Sequence, residues 1–388
     1  MNQPRQITHF IPYARQWLQA EDVAAVVAVL NGNWLTTGPA VAGFERQLLA
    51  CTGAGQAVAL NSGTAALHAA YHAAGLGAGD EIITSPLTFA ATANAALYLG
   101  CTVRFVDVDP RTGLIDPAAI EAAIGEKTRA IVAVDYAGHP ADYHAIDAIA
   151  RRHDLRVIAD GAHSLGAQYR GRAVGTLADL TTLSFHPVKP ITSGEGGAVL
   201  TDDPRWARRA RRFRNHGVTR DRDEMDGDEG PWDYEMRELG YNYRLTDLQC
   251  ALGQSQLKRL SQFIDRRREI ASHYLDALSS IPQLEMPVVD DGVAPGWHLF
   301  VVRVRTDPRL RRPFFERLRA LKLGVQVHYR PVYLHPYYRE LGYDEGLCPK
   351  AEEFYRRALS LPLFPAMSDA EVSAVIRRVR RAAKDVLA

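Results

Sequence analysis

The stretch "RAIVAVDYAGHPADYHAIDAIARRHDLRVIADGAH", Arg129 to His163, decides how the rest of the chain is read. It holds two short β-branched runs, "RAIVAVDYAG" and "LRVIADGAH", and each breaks off at a polar or small residue, as a buried strand does on reaching a loop. "DEIITSP" from Asp80 and "TVRFVDVD" from Thr102 read the same way, and "AVALNS" from Ala57 is a shorter strand. Between the strands run amphipathic or alanine-rich helices: "EDVAAVVAVLNGN", "AVAGFERQLLACTG" and "TAALHAAYHAAGLG", the last ended by glycine. This alternation, from about Glu21 to His153, predicts an α/β domain with a mainly parallel sheet and helices on both faces. In such a sheet the ligand lies outside the carboxyl ends of the strands, so the polar residues that end these runs are the first candidates for a site.

The totals bound the rest. A chain of 388 residues buries a large core and suggests two domains, and 46 basic against 45 acidic residues give no reason to expect nucleic acid as a partner. The arginine runs "RWARRARRFRNHG" and "VIRRVRRAAKDV" have helical spacing and read as solvated helix faces. Cys51, Cys101, Cys250 and Cys348 are far apart and form no C-x-x-C pair, so neither a disulfide framework nor a metal site is expected. No stretch of about 18 apolar residues occurs and the start lacks the apolar run of a signal peptide, so the expectation is a cytoplasmic protein without membrane spans.

Chemistry concentrates in four places. In "LSFHPVKPITSGEGGAVLTDD" (Leu183 to Asp203), Pro187 and Pro190 rule out regular structure around Lys189, and the glycines that follow allow a tight turn between two strands. In "NSGTAALHAAY", Ser62, Gly63 and Thr64 stand between a strand and a helix start, where free amides, the helix dipole and two hydroxyls suit a phosphate, although taken alone the motif is more simply a plain N-cap by Ser62 or Thr64. The patterns G-x-G-x-x-G and G-x-x-x-x-G-K-[ST] are missing, which argues against nicotinamide or nucleoside triphosphate. Phe89, in "SPLTFAATANA", could stack on a flat ring or simply join the core. Asp160, at the end of "RVIAD", could pair with a cation or cap a helix, and His163 follows it. A phosphate cup, a ring platform, an anion for a pyridinium and an amine for a Schiff base, in that order, are the parts pyridoxal phosphate requires.

Further on, "DRDEMDGDEGPWD" (Asp221 to Asp233) reads as an acidic surface loop, and "TDLQ" (Thr246 to Gln249) has capping-box spacing and opens one long helix toward Ala277. This helix is expected to lead from a large domain, residues 1–250, into a small α+β domain, residues 251–388, with "HLFVVRVR", "LGVQVHY" and the helix "PRLRRPFFERLRAL".

Eight segments in order, "IPYARQW", "NWLTTGP", "NSGTAAL", "SPLTFAATANAALY", "VIADGAHSLGA", "SFHPVKPITSGEGG", "LGYNYRLTDLQCALGQSQL" and "VQVHYRPVYLHPYY", resemble the DegT/DnrJ/EryC1/StrS family of pyridoxal-phosphate-dependent nucleotide-sugar aminotransferases. The resemblance implies the aspartate aminotransferase fold (fold type I), with Lys189 as the Schiff-base lysine, Asp160 as the pyridinium partner and Phe89 as the ring platform. It implies that Gly63, Thr64 and Ser184 hold the phosphate and that His163 lies near the phenolic oxygen. Asn242, of "GYNYR", would reach the phosphate of the other subunit's cofactor, which implies a homodimer with shared sites. Tyr13, the segment Asn33, Trp34, Leu35 and Thr36, Arg244, and the segment His328, Tyr329, Arg330 and Pro331 would approach the substrate. "SFHPVKPIT" and "VHYRPVY" are most similar to the pseudaminic acid branch, which implies glutamate as donor and a UDP-linked 4-keto-6-deoxy sugar as acceptor. Sugar 3-dehydratases of the same fold have histidine in place of the lysine, and related regulators carry an added DNA-binding domain for which no residues remain here. Gly161 stands where relatives often have alanine.

Overall fold

The computed structural model describes residues 7–227 and 229–387; the first six residues and Ala388 of the expected domains, and Asp228 of the acidic loop, lie outside them. A seven-stranded sheet forms the centre. Its strands are β1 (Gln56–Leu60), β2 (Glu81–Thr84), β3 (Thr102–Phe105), β4 (Thr128–Val134), β5 (Arg156–Asp160), β6 (Leu180–Ser184) and β7 (Gly197–Thr201), in the spatial order β1-β7-β6-β5-β4-β2-β3. All pairings from β3 across to β6 are parallel, whereas β7 runs antiparallel to both neighbours. The expected α/β class with a mainly parallel sheet is what the chain forms. Central strands such as β2 and β7 are buried throughout and correspondingly apolar, as strands covered on both faces must be.

Helices of the chain include α1 (Ala20–Leu30), α2 (Pro39–Thr52), α3 (Gly63–Ala73), α4 (Ala91–Leu97), α5 (Tyr143–Arg152), α6 (Pro204–Arg214), α7 (Asp247–Leu257), α8 (Leu260–Leu278), α9 (Arg311–Ala320) and α10 (Asp369–Val386). Helix α3 starts where the Ser62 side chain accepts the Ala65 amide at 3.0 Å. Its small residues Ala66, Ala69, Ala70 and Ala73 are fully buried, which lets the helix lie close on the sheet. Leu60, Ile82, Val132, Ile158 and Val199 pack with α3 into the largest apolar cluster. Each such side chain, fully buried, contributes about 1.5–3 kcal/mol.

A second apolar cluster forms around Phe300 and Val302 in a three-stranded antiparallel sheet, β8 (Leu284–Glu285), β9 (Phe300–Val304) and β10 (Ala358–Leu361). Helices α8, α9 and α10 cover it through Tyr274, Phe314, Val375 and Val379. Two expectations fail here. "LGVQVHY" makes only single bridges, at Leu323 and Gln326, instead of a strand. The long helix after Thr246 opens with the expected capping box, but it breaks at Lys258 and Arg259 into α7 and α8. The break has a cause: the Gln256 amide and the Arg259 guanidinium both turn to Asp22 and to the Trp17 carbonyl, which pulls the chain off a straight axis.

The N-terminal segment crosses to the second cluster. Ile11 is fully buried there and bridges Leu323, while the Gly324 amide donates to the Ile11 carbonyl at 2.6 Å. A Cβ at Gly324 would stand 2.7 Å from the Tyr13 nitrogen, so only glycine permits this approach.

Candidate active site

The carboxyl ends of β4, β5 and β6 and the start of α3 surround a cavity of about 440 Å³. Of the residues expected at the site, Tyr13, Gly63, Thr64, Phe89, Asp160, His163, Ser184, Lys189, His328 and Tyr329 all line it. A larger groove of about 870 Å³ lies at the opposite strand ends, past Val157 and Asp179, but it is open and its charged residues include ion pairs such as Arg205–Asp203 and Arg151–Asp147. Size does not mark the site here; the chemistry does.

Lys189 sits on a loop closed by its own backbone. The Phe185 amide donates to Gly196 at 2.8 Å, Ser193 to Phe185 at 3.0 Å, and Lys189 to His186 at 2.9 Å. The turn needs Gly194, whose φ is +83°. Burial brings the Lys189 amine down from 10.5 to about 8, and the Asp160 charge pulls the other way. A lysine so placed has a usable neutral fraction near physiological pH.

Asp160 is 6% exposed. Its Oδ2 accepts the Thr92 hydroxyl at 2.6 Å, and its Oδ1 accepts the Ala162 amide at 3.2 Å. Burial raises the carboxyl above its ordinary value, while Thr92, the Ala162 amide and the Lys189 charge hold it down. Thr92, in turn, is fixed by the Thr88 hydroxyl at 2.7 Å.

The start of α3 is pressed against the end of β6: a Cβ at Gly63 would stand 2.9 Å from Ser184 Cβ. Glycine thereby leaves the Gly63 and Thr64 amides, which have no partner inside the helix, beside the cavity with the Thr64 and Ser184 side chains, while the Ala65 amide is taken by Ser62. The arrangement suits a phosphate. Phe89 is 63% exposed at the cavity wall, 6.4 Å from the Tyr329 ring, so it has not joined the core.

Histidines close the remaining side. His163 Nε2 meets the Tyr329 hydroxyl at 3.1 Å, its Nδ1 has no partner, and burial holds it well below 6.5, hence neutral. His328 Nδ1 bonds Ser360 Oγ at 2.8 Å and is pushed down to about 4. His298, absent from the sequence reading, lies with its ring centroid 4.3 Å from that of His163 and also lines the cavity. The buried Arg267 holds the backbone of this segment, its Nη1 donating to the carbonyls of Trp297, His298 and Leu363 at 3.1–3.3 Å.

Eight expected residues do not line this cavity: Asn33, Trp34, Leu35, Thr36, Asn242, Arg244, Arg330 and Pro331. Asn242 lies on an extended strap, bridged to Asn215, with its carbonyl 3.4 Å from Asn61 Nδ2. Thr36 bridges Thr246, and Arg244 donates to Asn215 Oδ1 at 2.7 Å. Thr92 and His298 are among the lining residues that the sequence reading did not single out: Thr92 stands within "SPLTFAATANA", where only Phe89 was chosen, and His298 sits in no pattern that marks it.

A buried aspartate, a lysine of lowered basicity, a glycine-made phosphate cup, an exposed ring and an orphaned histidine nitrogen fit pyridoxal phosphate. The DegT/DnrJ/EryC1/StrS aminotransferase family matches the chain over residues 16–380. The chain belongs to this family. It is 42% identical over 377 residues to the Bacillus subtilis spore coat polysaccharide biosynthesis protein SpsC, covering 96% of this chain and 97% of that protein. Among solved structures it is similar to Helicobacter pylori PseC, an aminotransferase involved in the biosynthesis of pseudoaminic acid, at 32% identity and a TM-score of 0.91 over 97% of this chain and 100% of that one. It is also similar to Spr1654 of Streptococcus pneumoniae, solved in its PLP form, at 29% identity and a TM-score of 0.92 over 98% and 100% of the two chains. The fold is that of the pyridoxal-phosphate-dependent aminotransferases.

Proposed function

We propose that this family member is a pyridoxal-phosphate-dependent aminotransferase that moves an amino group from glutamate to C4 of a UDP-linked 4-keto-6-deoxy sugar, UDP-4-keto-6-deoxy-N-acetyl-L-altrosamine, in pseudaminic acid formation. The observation that carries the reading is the Lys189 amine, lowered to about 8, in one cavity with Asp160. Bound pyridoxal phosphate supplies an aldehyde for an amine and an electron-poor ring that takes up negative charge. Gly63, Thr64 and Ser184 would hold its phosphate, Phe89 would cover its ring, Asp160 would pair with its ring nitrogen, and His163 would stand near its phenolic oxygen. The Lys189 amine would hold the cofactor aldehyde and, when free, could accept and return a proton at Nζ. Burial lowers its basicity and so favours the neutral amine that such a transfer needs. His163 and His328, held neutral by burial, add no cation to compete with the ring nitrogen for Asp160.

The acceptor's nucleotide has a candidate seat. A groove of about 490 Å³ beside Thr37 carries Arg208, Arg211, Arg212, Arg214, Arg220 and Arg244 against Glu45, Asp221 and Glu224, a charge balance that suits a diphosphate. A homodimer is part of the reading. Val23, Val27 and Leu30 form an exposed apolar stripe on α1, and Met236 and Leu239 are exposed near Asn242, surface that a second copy could cover. In this reading the enzyme works on soluble sugar nucleotides in the cytoplasm; among the described residues no helix is long and apolar enough to cross a membrane. The test is a panel of UDP-, GDP- and dTDP-linked 4-ketosugars with glutamate as donor, followed by 2-oxoglutarate release and amino-sugar mass. Amination of the UDP-linked L-altrosamine ketone ahead of the rest supports the proposal; no 2-oxoglutarate with any acceptor refutes it.

A further inference from the structure

Beside Asp160 the sheet buries a second carboxylate. Strands β4 and β5 pair so that Val134 stands opposite Asp160, and the next residue, Asp135, is fully buried. Its amide donates to the Asp160 carbonyl at 3.1 Å. Its Oδ1 accepts the Ala141 amide at 3.0 Å and the Tyr143 hydroxyl at 2.7 Å, and its Oδ2 accepts the Ser164 hydroxyl at 2.5 Å. Among the described residues, three donors and no cation converge on this carboxylate.

Ser164 links this group to the cavity. The tight turn from Asp160 to Ser164 carries Ala162, whose amide holds Asp160 Oδ1, and His163, whose ring lines the cavity. The turn closes through the Ser164 amide on the Gly161 carbonyl at 3.0 Å, and the Gly161 amide is held by the Thr182 carbonyl at 2.9 Å. From below it is fastened by the Ser164 hydroxyl on Asp135 Oδ2, and the same hydroxyl lies 3.3 Å from the Gly161 carbonyl. A Cβ at Gly161 would already stand 3.1 Å from Thr181 Cγ2 and the Thr182 carbonyl, so the turn has little room to shift sideways.

We infer that Asp135 is a positioning residue of the cofactor site, which clamps the Asp160–Ser164 turn through Ser164 and adds a second negative charge beneath the seat of the pyridinium and of Lys189. The inference rests on the proposed pyridoxal phosphate site. The groups that face Asp135 are Tyr143 from α5, Ser164 from the turn and, across the shared backbone bond, Asp160 from β5; Lys189 stands beyond Asp160. Burial lifts Asp135 to about 7, which keeps its charge responsive near neutral pH.

The test separates clamp from charge. Asp135→Asn keeps the shape and removes the charge, whereas Ser164→Ala removes the clamp and keeps the charge. Cofactor affinity is read by equilibrium titration, and the protonation of lysine-bound cofactor by its absorbance against pH. Losing an anion makes a nearby positive charge less favourable, so Asp135→Asn should move the absorbance midpoint to lower pH by at least about half a unit. Ser164→Ala should hold the midpoint within about a quarter of a unit and weaken cofactor binding by about threefold to tenfold. A merely structural Asp135 would lower the melting temperature in both variants and leave midpoint and affinity alone, which overturns the inference. Should Asp135→Asn fail to fold, Ser164→Ala decides alone, and wild-type affinity there overturns it. A wild-type protein that takes up no pyridoxal phosphate defeats the underlying function as well, and that control tells the two failures apart.

Discussion

Replacing Lys189 by methionine should stabilise the cofactor-free protein. Bringing an amine from 10.5 down to about 8 means that the folded state disfavours its charged form, at about 1.36 kcal/mol per pH unit, or roughly 3 kcal/mol. The attraction of Asp160 is already contained in that balance, because it opposes the larger effect of burial. The residue is half-buried, so solvent returns part of the cost, and a gain of about 1–3 kcal/mol is expected at pH 7. The sign follows from proton counting. Between about pH 8 and 10.5 the unfolded chain binds a proton that the folded chain has released, so wild-type stability rises with pH in that window. The advantage of Lys189→Met is therefore full below pH 8 and fades above it. Urea denaturation of cofactor-free wild type and Lys189→Met at pH 7 and pH 10 measures both values. A variant no more stable than wild type at pH 7, or an advantage that does not shrink at pH 10, refutes the reasoning.

Asp160→Ala should lower the transamination rate by about a hundredfold or more at saturating cofactor, from about 3 kcal/mol of lost charge stabilisation, and a near-normal rate would remove its role. Lys189→Ala and Asn242→Ala chains, each impaired alone, should regain activity when mixed, because hybrids hold one site with both defects and one with neither. No recovery under conditions of demonstrated subunit exchange argues against Asn242 acting across an interface. Arg267→Ala should cost about 3 kcal/mol or more in urea denaturation, since three carbonyls lose their donor and a cavity opens, whereas a loss under about 1 kcal/mol would show that water replaces the guanidinium freely.

What could be read from the sequence was local. Strands β4 and β5 announce themselves because a buried strand carries its signal in its own β-branched residues, and Lys189 between two prolines is conspicuous for the same reason. Ser62 could be assigned to the start of α3 because capping needs only its neighbours in sequence. The break at Lys258 and Arg259 could not be seen, since its cause, Asp22, lies 237 residues from Arg259. His298 and Thr92 were missed for a related reason: each owes its importance to a partner, His163 or Asp160, that only the folded sheet brings near. The strap bearing Asn242 was found through its resemblance to family sequences, and nothing in its own composition marks it.

The way the first residues are fastened has a consequence for synthesis. Tyr13 lines the cavity only because Ile11 is tied to Leu323 and Gly324 and the Tyr13 carbonyl receives the Leu363 amide at 3.0 Å. On the ribosome, residues 323 to 363 emerge some three hundred residues after Tyr13, so the segment made first is among the last to find its place. A nascent chain lacking those residues has Lys189 and Asp160 but neither Tyr13 nor His328 in position, and its cavity is missing a wall. The wall of the cavity that carries Tyr13 and His328 therefore closes only after residues 323–363 have been made and have met the first segment.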